Sequence, residues 1–96
     1  MLSINIVSLH QLKKQIANRA KERRLEKNMS RKTLEAKSTV PASTIKRFET
    51  TGNISLEALL RIALVLDALA EFSQLFPAKT PVSLFETPIE RQRGRQ

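Results

Sequence analysis

The first third of the chain carries apolar residues at helical spacing. From Leu9 onward, Leu12, Ile16 and Ala20 return every four residues, while lysines and arginines occupy the other faces. This pattern predicts an amphipathic helix that ends near Asn28. Such a basic helix can also lie on a membrane, but its apolar stripe is narrow and contains alanine, which favours packing against a protein core.

The next stretch, residues 30–53, predicts two short helices joined by a tight turn. Ser30 is a good N-cap, and Pro41 suits the first turn of the second helix, where a missing N–H costs nothing. Gly52 is expected to end that second helix. The predicted contact between the two helices uses Leu34, Val40, Ile45 and Phe48. The outward positions of the second helix are Ser43, Thr44, Lys46 and Arg47.

Two further helices are predicted after Gly52. Ser55 caps the fourth, which should run to about Leu66 with Leu56, Leu59, Leu60, Ala63 and Leu66 on its core face. Asp67 marks a break, and a fifth helix is expected over Ala68–Phe76. The apolar residues here exceed what one face can hide, so part of this surface is expected to meet a second copy of the chain; a wholly intramolecular core is the alternative.

The two ends of the chain have different patterns. In residues 1–9, Leu2, Ile4 and Ile6 alternate with polar residues, which fits either a short strand or a loosely docked arm. Residues 77–96 are predicted to be a flexible basic tail, because three prolines interrupt them. These prolines are Pro77, Pro81 and Pro88.

Charge is distributed unevenly along the 96 residues. Seventeen Lys and Arg against nine Asp and Glu give a net charge of +8, and residues 1–50 hold twelve of the basic and four of the acidic side chains. The asymmetry indicates a polyanionic partner for the first half. Nucleic acid is favoured over an anionic membrane because the two-helix motif lies in the same half.

Several functional classes are disfavoured by composition. The chain has no cysteine, which excludes disulfides and thiolate metal sites, and its single histidine, His10, has no second histidine with which to share a metal. We expect no metal and no cofactor. Residues 1–9 lack the charge order of a secretory signal, and no apolar run reaches the length of a membrane span. No phosphate loop, carboxylate pair or activated nucleophile is found, so we do not expect an enzyme.

Together these residues resemble the Cro/repressor-like helix-turn-helix regulators, often called the XRE family, and within it the HipB-type antitoxins. The resemblance covers roughly residues 16–76. It depends on Arg24, Met29–Ser30, Val40, Thr44–Ile45, Glu49 and Gly52–Leu56. Two positions depart from the family pattern: Glu35 stands where a small alanine is usual, and Thr39 replaces the usual turn glycine. Thr39 must therefore adopt a left-handed conformation or alter the turn.

The resemblance implies an all-α fold: a compact five-helix Cro/repressor-like helix-turn-helix domain over residues 10–76, with the flexible tail after it. It also implies a structural ion pair between Arg24 and Glu49, because an acidic group beside Ile45 and Phe48 would be costly without a guanidinium partner. The family commonly dimerises through helix five, and Leu69, Phe72 and Phe76 are the expected anchors here.

The site residues follow from placing the second helix of the motif in a DNA major groove. We expect Lys46 or Arg47 to read guanine O6 and N7, with a serine hydroxyl in support. The predicted base-reading set is Ala42, Ser43, Lys46 and Arg47. The predicted phosphate contacts are Ser30, Arg31, Thr44, Thr51 and Asn53.

The predicted function is a sequence-specific, double-stranded DNA-binding transcriptional regulator that acts as a homodimer in the cytoplasm, at the nucleoid. The resemblance favours the antitoxin of a HipBA-like system, which represses its own operon and binds a HipA-type kinase. A stand-alone phage-type or metabolic repressor is the alternative. An RNA-binding adaptor is disfavoured, since the chain has no Trp or Tyr to stack on bases.

A protein partner would need a surface away from the basic half, and the sequence offers two. One is an acidic face with Glu57, Asp67 and Glu71. The other is the tail, whose few apolar residues between prolines suit folding onto another protein. These tail residues are Leu84, Phe85 and Ile89, and they precede Arg91, Arg93 and Arg95, which could neutralise phosphates without reading sequence.

Overall fold

The computed structural model describes residues 8–78, and this part of the chain forms five helices without a strand. In chain order they are α1 (Leu9–Glu26), α2 (Arg31–Ser38), α3 (Ala42–Thr51), α4 (Leu56–Val65) and α5 (Leu69–Phe72). The predicted all-α, five-helix class is confirmed. The predicted arm, apart from its last two residues, and the tail from residue 79 lie outside the described residues.

Local capping chemistry accounts for most of the helix boundaries. The hydroxyl groups of Ser8, Ser30 and Ser55 each accept a hydrogen bond from a backbone N–H in the first turn of α1, α2 and α4, respectively. Gly52 ends α3 in the left-handed conformation. The predicted caps at Ser30 and Ser55 and the predicted stop at Gly52 are therefore confirmed.

Three predicted boundaries need correction. Pro41 is the N-cap of α3 and not part of its first turn. Helix α1 ends at Glu26, two residues early, because Asn28 turns the chain with a φ of 56°. Helix α5 covers only Leu69–Phe72, and Phe76 has a positive φ of 55°, which is incompatible with a helix that continues through it.

The buried core lies where α2, α3 and α4 meet. Leu34, Val40, Ile45, Ile62 and Leu66 form one cluster, and each is at most 2% exposed. Helix α1 packs against α3 and contributes Ala17 and Arg24 as its buried residues. Two residues predicted for core faces are instead exposed: Leu12 on α1 and Leu56 on α4. The inner side of α3 is therefore held mainly by α1 and α2.

Candidate nucleic-acid interface

Helix α3 has one buried and one exposed face. Ile45 and Phe48 are buried, whereas Ser43, Lys46 and Arg47 are exposed at positions that share one side of a helix. The cations of Lys46 and Arg47 form no ion pair and donate no hydrogen bond to residues 8–78. Two long basic side chains are thus presented outward from a helix whose opposite face is anchored in the core.

On the inner face of α3, the carboxylate of Glu49 forms an ion pair with the guanidinium of Arg24 from α1. Arg24 Nε lies 2.8 Å from Glu49 Oε2 and Arg24 Nη2 lies 3.1 Å from Oε1, so the pair is bidentate. Both side chains are almost fully buried, at 6% and 4% exposure. Arg24 also donates to the Met29 carbonyl oxygen at 2.8 Å. The structure therefore contains the Arg24–Glu49 pair that the sequence predicts, and it ties α1 to α3.

A second arginine reaches the same carboxylate. Arg31 Nε donates to Glu49 Oε1 at 2.9 Å, and the Arg31 side chain is about one-third exposed. Burial alone would raise the pKa of Glu49, but the hydrogen bonds and charges of Arg24 and Arg31 outweigh it and hold the pKa of that carboxyl below its usual value. The two arginines thus favour the ionised form of Glu49 in the last turn of α3.

The turn between α2 and α3 has Thr39 in the left-handed conformation, which is one of the two options that the sequence allowed. Thr39 takes the left-handed region with a φ of 66°, which is unusual for a β-branched residue. Its hydroxyl oxygen accepts a hydrogen bond from Arg61 Nη1 at 2.7 Å. Glu35, the other departure from the family pattern, is half-buried and accepts a hydrogen bond from the Ala42 backbone N–H at 3.1 Å. Both unusual residues therefore contact neighbouring elements.

Most of the five predicted phosphate-binding residues already have partners within the protein. The hydroxyl of Ser30 caps α2, Arg31 pairs with Glu49, and Thr51 donates to the Arg47 carbonyl oxygen. Thr44 is half-buried. These contacts hold the side chains at the ends of α2 and α3, and whether they also meet phosphates stays a prediction.

A lysine that the sequence analysis did not select lies at the C-terminal end of α3. Lys13 Nζ on α1 donates to Asn53 Oδ1, next to Gly52. The two residues are forty positions apart in the chain, so no local spacing could have indicated their contact. The contact places one more cation beside a predicted phosphate contact.

The predicted dimer anchors differ in exposure. Phe76 is 96% exposed and Leu69 38% exposed, but Phe72 is half-buried in the wall of an apolar cavity of about 310 Å³ between α1, α4 and α5. On α4, Leu56 and Leu64 are exposed. Together with the half-buried Leu60 they lie four residues apart on one side of the helix and form an apolar stripe. The sequence analysis had assigned Leu56 and Leu60 to the core face.

Among residues 8–78 no group of three His, Asp or Glu side chains is arranged to hold a metal ion. Within the same part of the chain, none of the helices has the length and apolar character needed to cross a membrane.

Comparison with known proteins identifies a family for this chain. A protein-family model described as Helix-turn-helix matches residues 21–72, which is more than half of the chain. The matched residues include the end of α1 and all of α2, α3, α4 and α5. No curated protein and no solved structure matches.

Proposed function

We propose that this chain, which belongs to the helix-turn-helix family of DNA-binding transcriptional regulators, reads a near-palindromic double-stranded operator as a symmetric dimer. The family assignment supports DNA binding in transcriptional regulation as the general activity. The matched domain is one that binds DNA and is not itself catalytic. The palindromic operator, the dimer and the kinase partner go beyond this family assignment. A regulator of this kind would act in the cytoplasm, at the nucleoid.

The observation that best supports the proposal is the two-sided character of α3. Its inner face is fixed by Ile45, Phe48 and the Arg24–Glu49 pair, while Lys46 and Arg47 point outward without a partner among residues 8–78. A rigid helix with free cations on its outer face fits a major groove, where arginine can bind guanine O6 and N7 with two hydrogen bonds. Ala42 and Ser43 at the start of the helix would lie beside them.

Replacing Arg47 by alanine should relax sequence preference. We expect a loss of about 1–3 kcal/mol on an operator selected from random duplexes and a much smaller loss on a scrambled duplex of equal length. Fluorescence anisotropy with both duplexes at one salt concentration measures this difference. Arg19→Ala, which removes an exposed arginine from α1, is the matched control for net charge. An equal loss on both duplexes for Arg47→Ala would assign Arg47 to the DNA backbone only.

The dimer is proposed to form through α4 and α5, with Leu64, Leu69 and Phe76 as its exposed apolar contacts. Two copies of α3 would then meet half-sites about one DNA turn, or ~34 Å, apart. We expect Leu64→Glu to shift the protein toward monomer in sedimentation equilibrium at micromolar concentration. Leu25→Glu introduces the same charge at an exposed leucine of α1 and should leave the dimer intact. A parent protein that is monomeric throughout contradicts the dimer and the palindrome together.

A finer proposal concerns the biological role: an antitoxin that represses its own operon and binds a HipA-type kinase. Of the two surfaces suggested for the partner, the acidic one is the less favoured binding site, because each of its carboxylates already has a cation nearby. Glu57 pairs with Arg61 and Asp67 with Lys27, both at 2.7 Å. Glu71 lies 3.8 Å from Arg23. We therefore favour the C-terminal tail, most of which lies outside the described residues.

Deleting residues 77–96 should weaken the complex with the kinase more than it weakens operator binding, since α3 and its supports precede the deletion. Co-expression with the adjacent gene product, followed by affinity capture with and without the tail, measures the first effect, and anisotropy on the operator measures the second. Failure of the full-length chain to capture that product would favour the alternative, a stand-alone phage-type or metabolic repressor.

A further inference from the structure

The first turn of α3 lacks a capping side chain of its own. The first amides of any helix have no acceptor within the helix, and Ser, Thr, Asp or Asn at the N-cap usually supplies one. Serine does so in α1, α2 and α4, but α3 has Pro41 at this position, with no capping hydrogen bond from its side chain. The proposed recognition helix thus begins without the cap that the three other helices of eight or more residues have.

Glu35 supplies the missing acceptor from the preceding helix. Its Oε1 lies 3.1 Å from the Ala42 nitrogen, seven residues further along the chain. A carboxylate that accepts a backbone N–H makes a charge-assisted hydrogen bond, and a negative charge is favourable at the positive end of a helix dipole. The contact therefore joins the body of α2 directly to the first residue of α3.

A side chain from α4 also contacts the turn that Glu35 spans. Arg61 on α4 donates to the Thr39 hydroxyl oxygen at 2.7 Å, and Glu57 holds the same guanidinium at 2.7 Å. Since residues 39–41 form the short link between α2 and α3, the two contacts made across it and to it limit the angle between the two helices. The Glu35 contact is the one that reaches α3 itself.

We infer that Glu35 is a positioning residue for DNA recognition: it holds the N-terminal turn of α3 and thereby sets the direction in which Lys46 and Arg47 enter the groove. The inference rests on the proposed DNA-binding function. Glu35 is half-buried and acts through the Ala42 amide, not through a base. Its negative charge lowers affinity for every DNA sequence alike, whereas its hydrogen bond favours the sequence that α3 fits.

The two contributions are separable with two substitutions. Glu35→Ala removes both the charge and the acceptor, whereas Glu35→Gln removes the charge and keeps an Oε1 acceptor. The measurement is the ratio of affinities for a selected operator and for a scrambled duplex of equal length, at one salt concentration. Glu26→Ala, which removes an exposed carboxylate without a partner among residues 8–78, controls for the change in net charge.

We expect Glu35→Ala to lower the ratio about tenfold, by analogy with the loss of an N-cap. Glu35→Gln and Glu26→Ala should keep it within about twofold of the parent, because a change of charge alone affects both duplexes. Hydrogen exchange of the Ala42 amide should accelerate in Glu35→Ala and stay slow in Glu35→Gln. A folded Glu35→Ala protein with the parent's ratio, or equal losses in the Ala and Gln variants, overturns the inference.

If Glu35→Ala does not fold, Glu35→Asp replaces it in the comparison. The aspartate side chain is one methylene shorter, so this variant should keep the charge but lose the Ala42 contact, and its affinity ratio should fall. A ratio equal to the parent's overturns the inference. The proposed function fails in a different way, because the parent itself would then show no preference between the two duplexes.

Discussion

Replacing Arg24 by alanine should lower the free energy of unfolding by about 3–5 kcal/mol, the usual cost of removing one partner from a buried ion pair. The cost is large because Glu49 would remain in the interior with one guanidinium in place of two. The Arg24 bond to the Met29 carbonyl oxygen would also be lost. For a domain of this size, such a loss is a large share of the total stability.

Urea denaturation followed by circular dichroism measures the effect. Arg19→Ala is the control, because it removes an exposed arginine from the same helix. Arg31→Ala should cost less than Arg24→Ala, since Arg31 is about one-third exposed and water compensates it partly. A denaturant midpoint for Arg24→Ala equal to that of the parent would contradict a stabilising role for the pair.

The same pair should make stability depend on acid pH. Because the pKa of folded Glu49 lies below its ordinary value of 4.5, the unfolded state binds more protons between those two values, and stability rises with pH there. The contribution of Glu49 is therefore complete at neutral pH and is lost as pH falls through the folded pKa. Urea midpoints measured from neutral pH to below 4.5 should fall more steeply for the parent than for Glu49→Gln.

Sequence reasoning succeeded where the determinants are local. The caps at Ser30 and Ser55 and the stop at Gly52 each depend on a few neighbouring residues, so a single chain is enough to find them. The Arg24–Glu49 pair is not local, and it came from the family resemblance together with the cost of burying a lone carboxylate.

Contacts that depend on the packed structure were missed. Glu35 appeared only as a departure from the family pattern, and its role as a cap for α3 depends on the angle between α2 and α3. The contact between Lys13 and Asn53 depends on how α1 crosses the end of α3. The length of α5 was overestimated because an apolar run predicts burial but not where the backbone turns, and here it turns before Phe76.

The close crossing of α1 over the end of α3 should make the free energy of unfolding sensitive to a side chain at Gly52. Gly52 has a φ of +84°, and a Cβ atom built there would lie 2.9 Å from both the carbonyl carbon and the Cβ of Lys13. An alanine would have to bear the left-handed backbone, at about 1–2 kcal/mol, and would also press on the backbone of α1. Helix backbone cannot move aside as a flexible side chain can.

Gly52→Ala should therefore lower the free energy of unfolding by about 2–5 kcal/mol, the sum of the backbone cost and the cost of overpacking. Asn28→Ala is the matched control, because Asn28 is exposed with a φ of 56°, so the substitution there tests the backbone conformation without a buried contact. If both variants lose the same small amount in urea denaturation, the close approach to Lys13 contributes nothing. A much larger loss for Gly52→Ala would mean that contact between α1 and the end of α3 requires a residue without a side chain at this turn.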